Sequence, residues 1–349
     1  MWSLDWLRPL AVATLIPLLA GTAIAQEARE TVLVYATRDE QSIEPLLRVF
    51  EELTNIQVRA HYLSGDPIAF MRDRVARGEA DLFIANDFGP LVAAKAAGLT
   101  DVVKGADFIE RVPAALRDPD GHWFALTRRA RVIISSAERV KDEAFTYESL
   151  AEPRWKGRLC MRSARHPYNI ALMASMVAHR GGVGAAEWLA GVKANLAGPP
   201  SGGDRDQIRA IHEGRCDIAV VNSYYVGALL DPETREDQRA WARSVRVHYP
   251  NAADRGAHQS VSGMALLKSG PNVDAALLLM DFMTSDPAQY IFANDNFEFP
   301  VREGVKASEI VASWGKPRFD ALTLDDIARR MDQARAIIEK SGFDAGPGP

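Results

Sequence analysis

The stretch CDIAVVNSYY (residues 216–225) has the pattern of a short buried strand that ends at a polar Asn-Ser pair. Two consecutive tyrosines, Tyr224 and Tyr225, follow at once. Side chains alternate faces along a strand, so neighbouring tyrosines on a continuing strand would point in opposite directions. Both phenols reach one point only if the backbone turns there, at a strand end or in the first turn of a helix. Taken alone, the pair fits a shared metal site or one buried and one exposed tyrosine.

The same pattern of strand, polar loop and helix occurs elsewhere in the chain. Residues 31–35 and 81–85 are short apolar segments, each followed by polar residues and then by a helical pattern. Residues 158–161, the polar loop 162–167 and a helix over 168–179 repeat it. Strands that alternate with helices predict an α/β fold with a mainly parallel sheet covered on both faces. Ligands bind beyond the carboxyl ends of such strands, so the polar loops should share one ligand-facing rim.

The length of 349 residues favours two domains or one large α/β unit. Residues 126–134 resemble a strand but carry three arginines, which we interpret as a crossing between two lobes. Residues 260–267 are apolar enough to return to the first sheet. We therefore predict two discontinuous lobes with a cleft between them and two crossover strands. The predicted bounds are 26–126 plus about 260–300 for the N-terminal lobe, 127–259 plus about 301–342 for the C-terminal lobe, and 343–349 for a loose tail.

The first 25 residues differ in character from the rest of the chain. Residues 10–19 are apolar, and residues 23–25 supply the small side chains of a cleavage site before Gln26. This pattern is typical of a secretory signal. An uncleaved anchor is the alternative, but the apolar run is short for a membrane span of ~20 residues. We expect a soluble, exported mature protein.

Composition and motifs exclude several functional classes. A net charge of −5 argues against a nucleic-acid partner, for which a basic patch is expected. The chain has no Gly-x-Ser-x-Gly, no phosphate loop, no His-Glu-x-x-His and no Gly-x-Gly-x-x-Gly. Its seven histidines show no paired ligand spacing. We therefore do not expect an enzyme.

The chain has two cysteines, Cys160 and Cys216. In an exported protein they can form a disulfide, and two buried free thiols are the alternative. A bridge would tie the segment 162–169 to the segment 222–225.

Oxygen donors converge at the predicted rims and at the crossing. They are Asp39, Glu40, Tyr168, Tyr224 and Tyr225, with Arg129 where the lobes join. Phenolates are hard anionic donors that suit Fe³⁺, and a trivalent ion can hold a phenol deprotonated well below its usual pKa of about 10. Hardness disfavours Cu(I) and Zn²⁺, which prefer sulfur and imidazole. An arginine would pair with a small anion, such as carbonate, that completes the metal shell.

With these residues in place, the chain resembles the periplasmic ferric-iron-binding proteins of ABC importers, within the type II periplasmic-binding-protein superfamily. The resemblance covers nearly all of the mature chain, and the order and spacing of its blocks make it specific. The blocks are VYATR (34–38), DPDGHWFALTRRARVI (118–133), YESLAEPRWKGRLCMRSARHPYN (147–169), GGDRDQI (202–208), VVNSYY (220–225) and NDNFEFPV (294–301).

The resemblance implies a metal-ligand set. It assigns Tyr224 and Tyr225 to iron, and Tyr168 matches a third tyrosine ligand of one branch of the family. Relatives carry His-Tyr or a similar pair after the first strand, where this chain has Asp39 and Glu40. Either acid could replace that ligand, or the first lobe could contribute none.

The resemblance also implies an anion site. Arg129 is the better match for the family's cleft arginine, and Arg131 is the reserve. Ser163 and Asn222 fall where relatives place anion-binding groups.

The function that follows from the resemblance is capture of ferric iron, with a small anion such as carbonate, and delivery to an inner-membrane ABC permease. The protein would be a periplasmic monomer that closes about a hinge. Two alternatives stay open: a binder of an anion or small organic solute anchored by Arg129, and a periplasmic enzyme.

Overall fold

The computed structural model describes residues 30–141 and 144–348. The predicted signal segment, residues 1–25, lies outside the described residues. The strands are β1 (Thr31–Ala36), β2 (Gln57–Tyr62), β3 (Leu82–Ala85), β4 (Phe124–Ser136), β5 (Leu159–Cys160), β6 (Ile218–Asn222), β7 (Val245–His248), β8 (Gln259–Leu266) and β9 (Phe299–Pro300). The helices are α1 (Glu40–Thr54), α2 (Pro67–Ala76), α3 (Phe88–Ala96), α4 (Pro167–Ala194), α5 (Asp204–His212), α6 (Ser223–Leu230), α7 (Glu236–Arg243), α8 (Val273–Met283), α9 (Asp286–Asn294), α10 (Glu309–Ala312), α11 (Leu324–Ala328) and α12 (Met331–Ser341).

One sheet runs through the molecule in the order β2-β1-β3-β8-β4-β6-β5, and β7 and β9 pair with β4 as well. The pairs β1–β2, β1–β3 and β5–β6 are parallel, as the alternation of strands and helices predicts. In the middle, β8 is antiparallel to β3 and β4, and β4 is antiparallel to β6. The parallel parts at the two ends are thus joined by antiparallel strands.

Strand β4 is the connection between the two ends. Its first half pairs with β8 up to Ala130, and its second half pairs with β6 from Arg131 onward. Strand β8 returns the chain to the first sheet, so β4 and β8 are the two predicted crossings. The short strand β9 adds a third connection through Thr127 and Arg128. The result is an α/β fold of two lobes with a cleft between them.

The helices cover the sheet with apolar faces. In α1, the predicted helical spacing is confirmed, because Ile43, Leu46, Leu47 and Phe50 are all buried. Helix α4 contains a kink at Gly181, whose φ of 69° lies in the left-handed region that glycine tolerates. Among the described residues, no helix is both long and apolar enough to cross a membrane.

Asp204 is the first residue of α5, and Gly203 occupies the N-cap position of that helix. The loose tail expected from residue 343 is instead held in place. Phe343–Ala345 forms a 3-10 turn, the Phe343 ring is buried, and Asp344 accepts hydrogen bonds from Ser163 and from the Ala164 amide.

The predicted disulfide between Cys160 and Cys216 is confirmed. It links the end of β5 to the residues just before β6, two strands that are already neighbours in the sheet. The bridge therefore fixes the two segments that lead into Tyr168 and into the Tyr224-Tyr225 pair.

Replacing both cysteines, Cys160→Ser with Cys216→Ser, should lower the free energy of unfolding by roughly 4 kcal/mol, because the bridge closes a long loop in the unfolded chain. Urea unfolding of the oxidised protein and of the double variant measures the difference. Reduced wild-type protein is the control and should lose the same amount. Equal unfolding midpoints for all three would contradict a stabilising bridge.

Candidate metal site in the cleft

A cleft of about 690 Å³ lies where the strand ends of the two lobes meet. One wall consists of residues 38–42 after β1, Asn86 after β3, and Glu298 before β9. The other wall consists of Tyr168, Arg205 and the Tyr224-Tyr225 pair, and Arg129 of β4 lies at its base. Of the polar residues predicted to share one rim, 38–42 and Asn86 line this cleft, whereas Asp87 does not.

The tyrosine pair sits where a strand turns into a helix. Strand β6 ends at Asn222 and α6 begins at Ser223, so both phenols lie on the first turn of a helix. Their ring centroids are 4.2 Å apart. Tyr168, the second residue of α4, approaches from a different segment and places its hydroxyl oxygen 3.3 Å from that of Tyr224. The three predicted phenols therefore line one cleft.

Burial controls the ionisation of these phenols. It raises the pKa of Tyr168 to about 12, although Arg129 opposes the shift. Burial, followed by the neighbouring Tyr168 and Tyr225, raises the pKa of Tyr224 well above its usual value. In the metal-free protein Tyr168 and Tyr224 are protonated at neutral pH. A ligand that needs their phenolates has to displace protons, which favours a highly charged cation.

Arg129 joins the two walls. Its guanidinium carbon lies 5.9 Å from the ring centroid of Tyr168 and 5.7 Å from that of Tyr224, within cation–π range. It donates a hydrogen bond to the Asn86 carbonyl, and its Nε lies 3.9 Å from Glu298 Oε1. Arg131, the second candidate for the family's cleft arginine, does not line the cleft. It is buried against Asp204, with its Nη1 2.6 Å from Asp204 Oδ2.

Glu298 is a site residue that sequence reasoning missed, and it pairs with Arg38 of the predicted rim. Glu298 is 3% exposed, and Arg38 donates to its Oε2 at 3.0 Å. Burial alone would raise the pKa of Glu298, but Arg38 and Arg129 lower it below its usual value. The available signal was a charged residue within the apolar run FEFPV, since a buried carboxylate needs a cationic partner.

Asp39 and Glu40 line the cleft on the first-lobe wall, at the start of α1. Both are exposed at the rim. They are placed on the side opposite the tyrosines, as a first-lobe ligand would be, and their ligation stays a prediction.

Ser163 and Asn222 are not brought to the cleft. The Ser163 hydroxyl donates to Asp344 at 2.6 Å, and Asn222 Oδ1 accepts from Arg131 at 3.3 Å. The Ser163 hydroxyl and the Asn222 side-chain oxygen are thus engaged by neighbours that are distant in sequence. Arg205, which the sequence did not single out, does line the cleft, and its guanidinium carbon lies 5.6 Å from the ring centroid of Tyr225.

Within residues 30–141 and 144–348, no three or more His, Cys, Asp or Glu side chains are grouped so that they could hold a metal ion. The phenols of Tyr168, Tyr224 and Tyr225 are oxygen donors that line this cleft. Hard phenolate oxygens favour a hard, highly charged ion over Zn²⁺ or Cu(I).

A cleft between two α/β lobes is the architecture of a two-lobe solute-binding protein. Residues 79–328 match the family described as bacterial extracellular solute-binding proteins. The chain belongs to this family.

Three known proteins show what the chain is similar to. It is 35% identical to iron uptake protein A1 of Synechocystis over 317 residues, which cover 90% of this chain and 88% of that protein. The structure resembles the Bordetella ferric binding protein with a TM-score of 0.84 and 39% identity, over 90% of this chain and 100% of that one. It also resembles a Trichodesmium protein solved in complex with iron and citrate, with a TM-score of 0.85 and 31% identity, over 90% and 99% of the two chains. The resemblance to ferric-iron-binding proteins and the two-lobe fold are both confirmed.

Glu298→Gln should lower the free energy of unfolding at pH 7 by about 3–5 kcal/mol, because it leaves Arg38 and Arg129 buried beside a neutral partner. The pKa of Glu298 is lowered in the folded protein, so this contribution is present above the unfolded carboxyl pKa of about 4.3 and is lost as the pH falls through the folded value. Urea unfolding at several pH values measures the difference between variant and wild type.

Glu339→Gln is the matched control for Glu298→Gln. Glu339 is 76% exposed and pairs with Arg165 at 3.4 Å, so its loss should change stability by less than about 1 kcal/mol. Equal effects of the two substitutions at pH 7 would contradict the role given to the buried carboxylate.

Proposed function

We propose that this protein captures ferric iron in the cleft through Tyr168, Tyr224 and Tyr225 and delivers it, in the periplasm, to an inner-membrane ABC permease. The observation that carries the proposal is the convergence of phenols from two separate helices. The hydroxyls of Tyr168 and Tyr224 lie 3.3 Å apart, and Tyr225 lines the same cleft.

The chemistry of the donors supports iron in its ferric state. Three phenolates carry three negative charges and balance Fe³⁺. Burial holds Tyr168 and Tyr224 protonated in the free protein, so a cation must be strong enough as a Lewis acid to release their protons. The similar proteins of Synechocystis, Bordetella and Trichodesmium are named for iron uptake, ferric binding and an iron–citrate complex.

The basic side chains of the cleft suit a small anion bound beside the iron, such as carbonate or citrate. Arg129 and Arg38 are both at least nine-tenths buried and line the cleft. In the described part of the chain, the Nε atoms of both arginines and one terminal nitrogen of Arg38 have no hydrogen-bond partner. Arg205 adds a third guanidinium on the tyrosine wall. These arginines, rather than Ser163 and Asn222, are the groups that could hold an anion.

Closure of the cleft would occur about the crossing strands. We assign residues 26–126 with about 260–300 to one lobe and residues 127–259 with about 301–342 to the other. Iron would bind first to the tyrosines of the second lobe, and the first lobe would then bring Asp39 and Glu40 over it. A monomer closed in this way presents both lobes to the permease.

Tyr225→Phe should remove much of the visible absorption of the iron-loaded protein, because that band arises from charge transfer between phenolate and Fe³⁺. Tyr168→Phe and Tyr224→Phe should weaken it as well. The measurement is the visible spectrum after addition of ferric nitrilotriacetate. Tyr290→Phe is the control, since Tyr290 is 63% exposed and lies outside the cleft.

An unchanged spectrum in Tyr225→Phe would overturn the tyrosine assignment. A wild-type protein that stays colourless with iron yet binds citrate would instead be a binder of organic anions anchored by Arg129.

Replacing the first-lobe acids, Asp39→Asn with Glu40→Gln, should lower iron affinity about tenfold or more while it leaves the phenolate band in place. The physical reason is that these carboxylates reach the ion only when the cleft closes. Competition with citrate measures the affinity. Glu52→Gln, an exposed acid on the same helix α1, is the control and should have no effect. Unchanged affinity in the double variant would show that the first lobe contributes no carboxylate.

A further inference from the structure

A buried carboxylate outside the cleft connects the segments that carry the three tyrosines. Asp204 is the first residue of α5, within the block GGDRDQI, and its side chain is buried. Its Oδ2 accepts from Arg131 at 2.6 Å and from the Asn222 amide at 2.7 Å. Its Oδ1 accepts from Arg162 at 3.1 Å. It does not line the cleft, so it would not touch a bound metal.

The partners of Asp204 are chain neighbours of the predicted ligands. Asn222 is the last residue of β6, two positions before Tyr224. On the other side, Arg131 donates through its second terminal nitrogen to Asn169 Oδ1 at 2.8 Å, and Asn169 follows Tyr168 directly in α4. One Asp204–Arg131 pair thus holds both the helix start that carries Tyr168 and the strand end that carries the tyrosine pair.

The same pair fixes the cations that face Tyr168. The guanidinium carbons of Arg131 and Arg162 lie 5.8 Å and 5.4 Å from its ring centroid. Both cations are held by the single carboxylate of Asp204. The position of that carboxylate therefore sets the electrostatic surroundings of the phenol as well as its location.

We infer that Asp204, acting through Arg131, is a positioning residue that sets the spacing between Tyr168 and the Tyr224-Tyr225 pair and so determines how tightly the site holds its metal. This inference rests on the proposed function. A role in stability alone is a weaker explanation for the buried Asp204–Arg131 pair, because a buried ion pair contributes little net stability compared with apolar packing. The hydrogen bonds run instead to backbone and side chains adjacent to the ligands.

Two variants test the inference. Asp204→Asn keeps the shape and one acceptor oxygen but removes the charge. Arg131→Lys keeps the charge but lacks the two terminal nitrogens through which the guanidinium donates separately to Asp204 and Asn169. The matched control is Asp217→Asn. Asp217 also accepts from two arginines, Arg139 and Arg158, both at 2.6 Å, but it precedes β6 at the end remote from the tyrosines.

Three measurements are made on each full-length variant. Iron affinity is measured by loading the protein with ferric nitrilotriacetate and competing with citrate, and the visible spectrum is recorded. The tyrosine signals of the metal-free protein are measured by near-ultraviolet circular dichroism. Asp204→Asn and Arg131→Lys should each weaken iron binding tenfold or more, shift the visible band and change the tyrosine signals. Asp217→Asn should lower the unfolding midpoint and leave all three unchanged. Wild-type affinity and spectra in folded Asp204→Asn and Arg131→Lys would overturn the inference.

Failure of this inference can be distinguished from failure of the proposed function. If wild-type protein shows no visible band with iron, the proposed function fails, and the metal-free tyrosine signals still decide whether Asp204 positions these side chains. If Asp204→Asn does not fold, Arg131→Lys decides the matter in the same assays.

Discussion

The structure depends on the burial of two arginines on one strand. Arg129 and Arg131 are two residues apart on β4, so they project from the same face, and each is 2% exposed. A buried cation needs a partner, and each arginine has its own carboxylate. Glu298 lies beside Arg129 and Asp204 is paired with Arg131. Each carboxylate is held in turn by a second arginine, Arg38 or Arg162. Arg129 and Arg131 thus each belong to a cluster of two arginines and one acid.

These clusters produce an excess of positive charge around Tyr168. Arg129, Arg131 and Arg162 all lie within 6 Å of its ring centroid. The cations favour the phenolate, whereas burial favours the phenol, and burial is the larger effect in the metal-free protein. The phenol of Tyr168 is therefore protonated in the metal-free protein, and a cation that binds it as a phenolate would have to displace the proton. Under the proposed function, this balance would discriminate by charge, because a weakly charged ion cannot offset the cost of ionising a buried phenol.

The sequence patterns predicted the elements that have a local signature. Because side chains alternate along a strand, a shared site for Tyr224 and Tyr225 predicted a turn at that point. The crossing strand was indicated by arginines within an apolar run. The features that the sequence patterns did not predict depend on side-chain pairs that are distant along the chain. Asp204 looks like a helix cap locally, but its carboxylate is taken by Arg131, 73 residues away. Ser163 is likewise taken by Asp344, 181 residues away. No local pattern carries such pairings, so the sequence could not show that Ser163 and Asn222 lie outside the lining of the cleft.

The two halves of β4 pair with different strands, so Arg129 and Arg131 belong to different parts of the sheet. Arg129 is paired in register with Ser260 of β8, whereas Arg131 is paired with Asn222 of β6. The boundary between the two pairings thus falls between Ala130 and Arg131. Arg131 would move with the tyrosines, because its strand partner Asn222 lies two residues before Tyr224. Arg129 would stay with β8, with which it pairs, and with the Asn86 carbonyl and Glu298, which also contact it. Bending of β4 at this boundary would change the distance from Arg129 to Tyr168 and leave that from Arg131 unchanged. The charge that Tyr168 experiences would then depend on how far the cleft is closed.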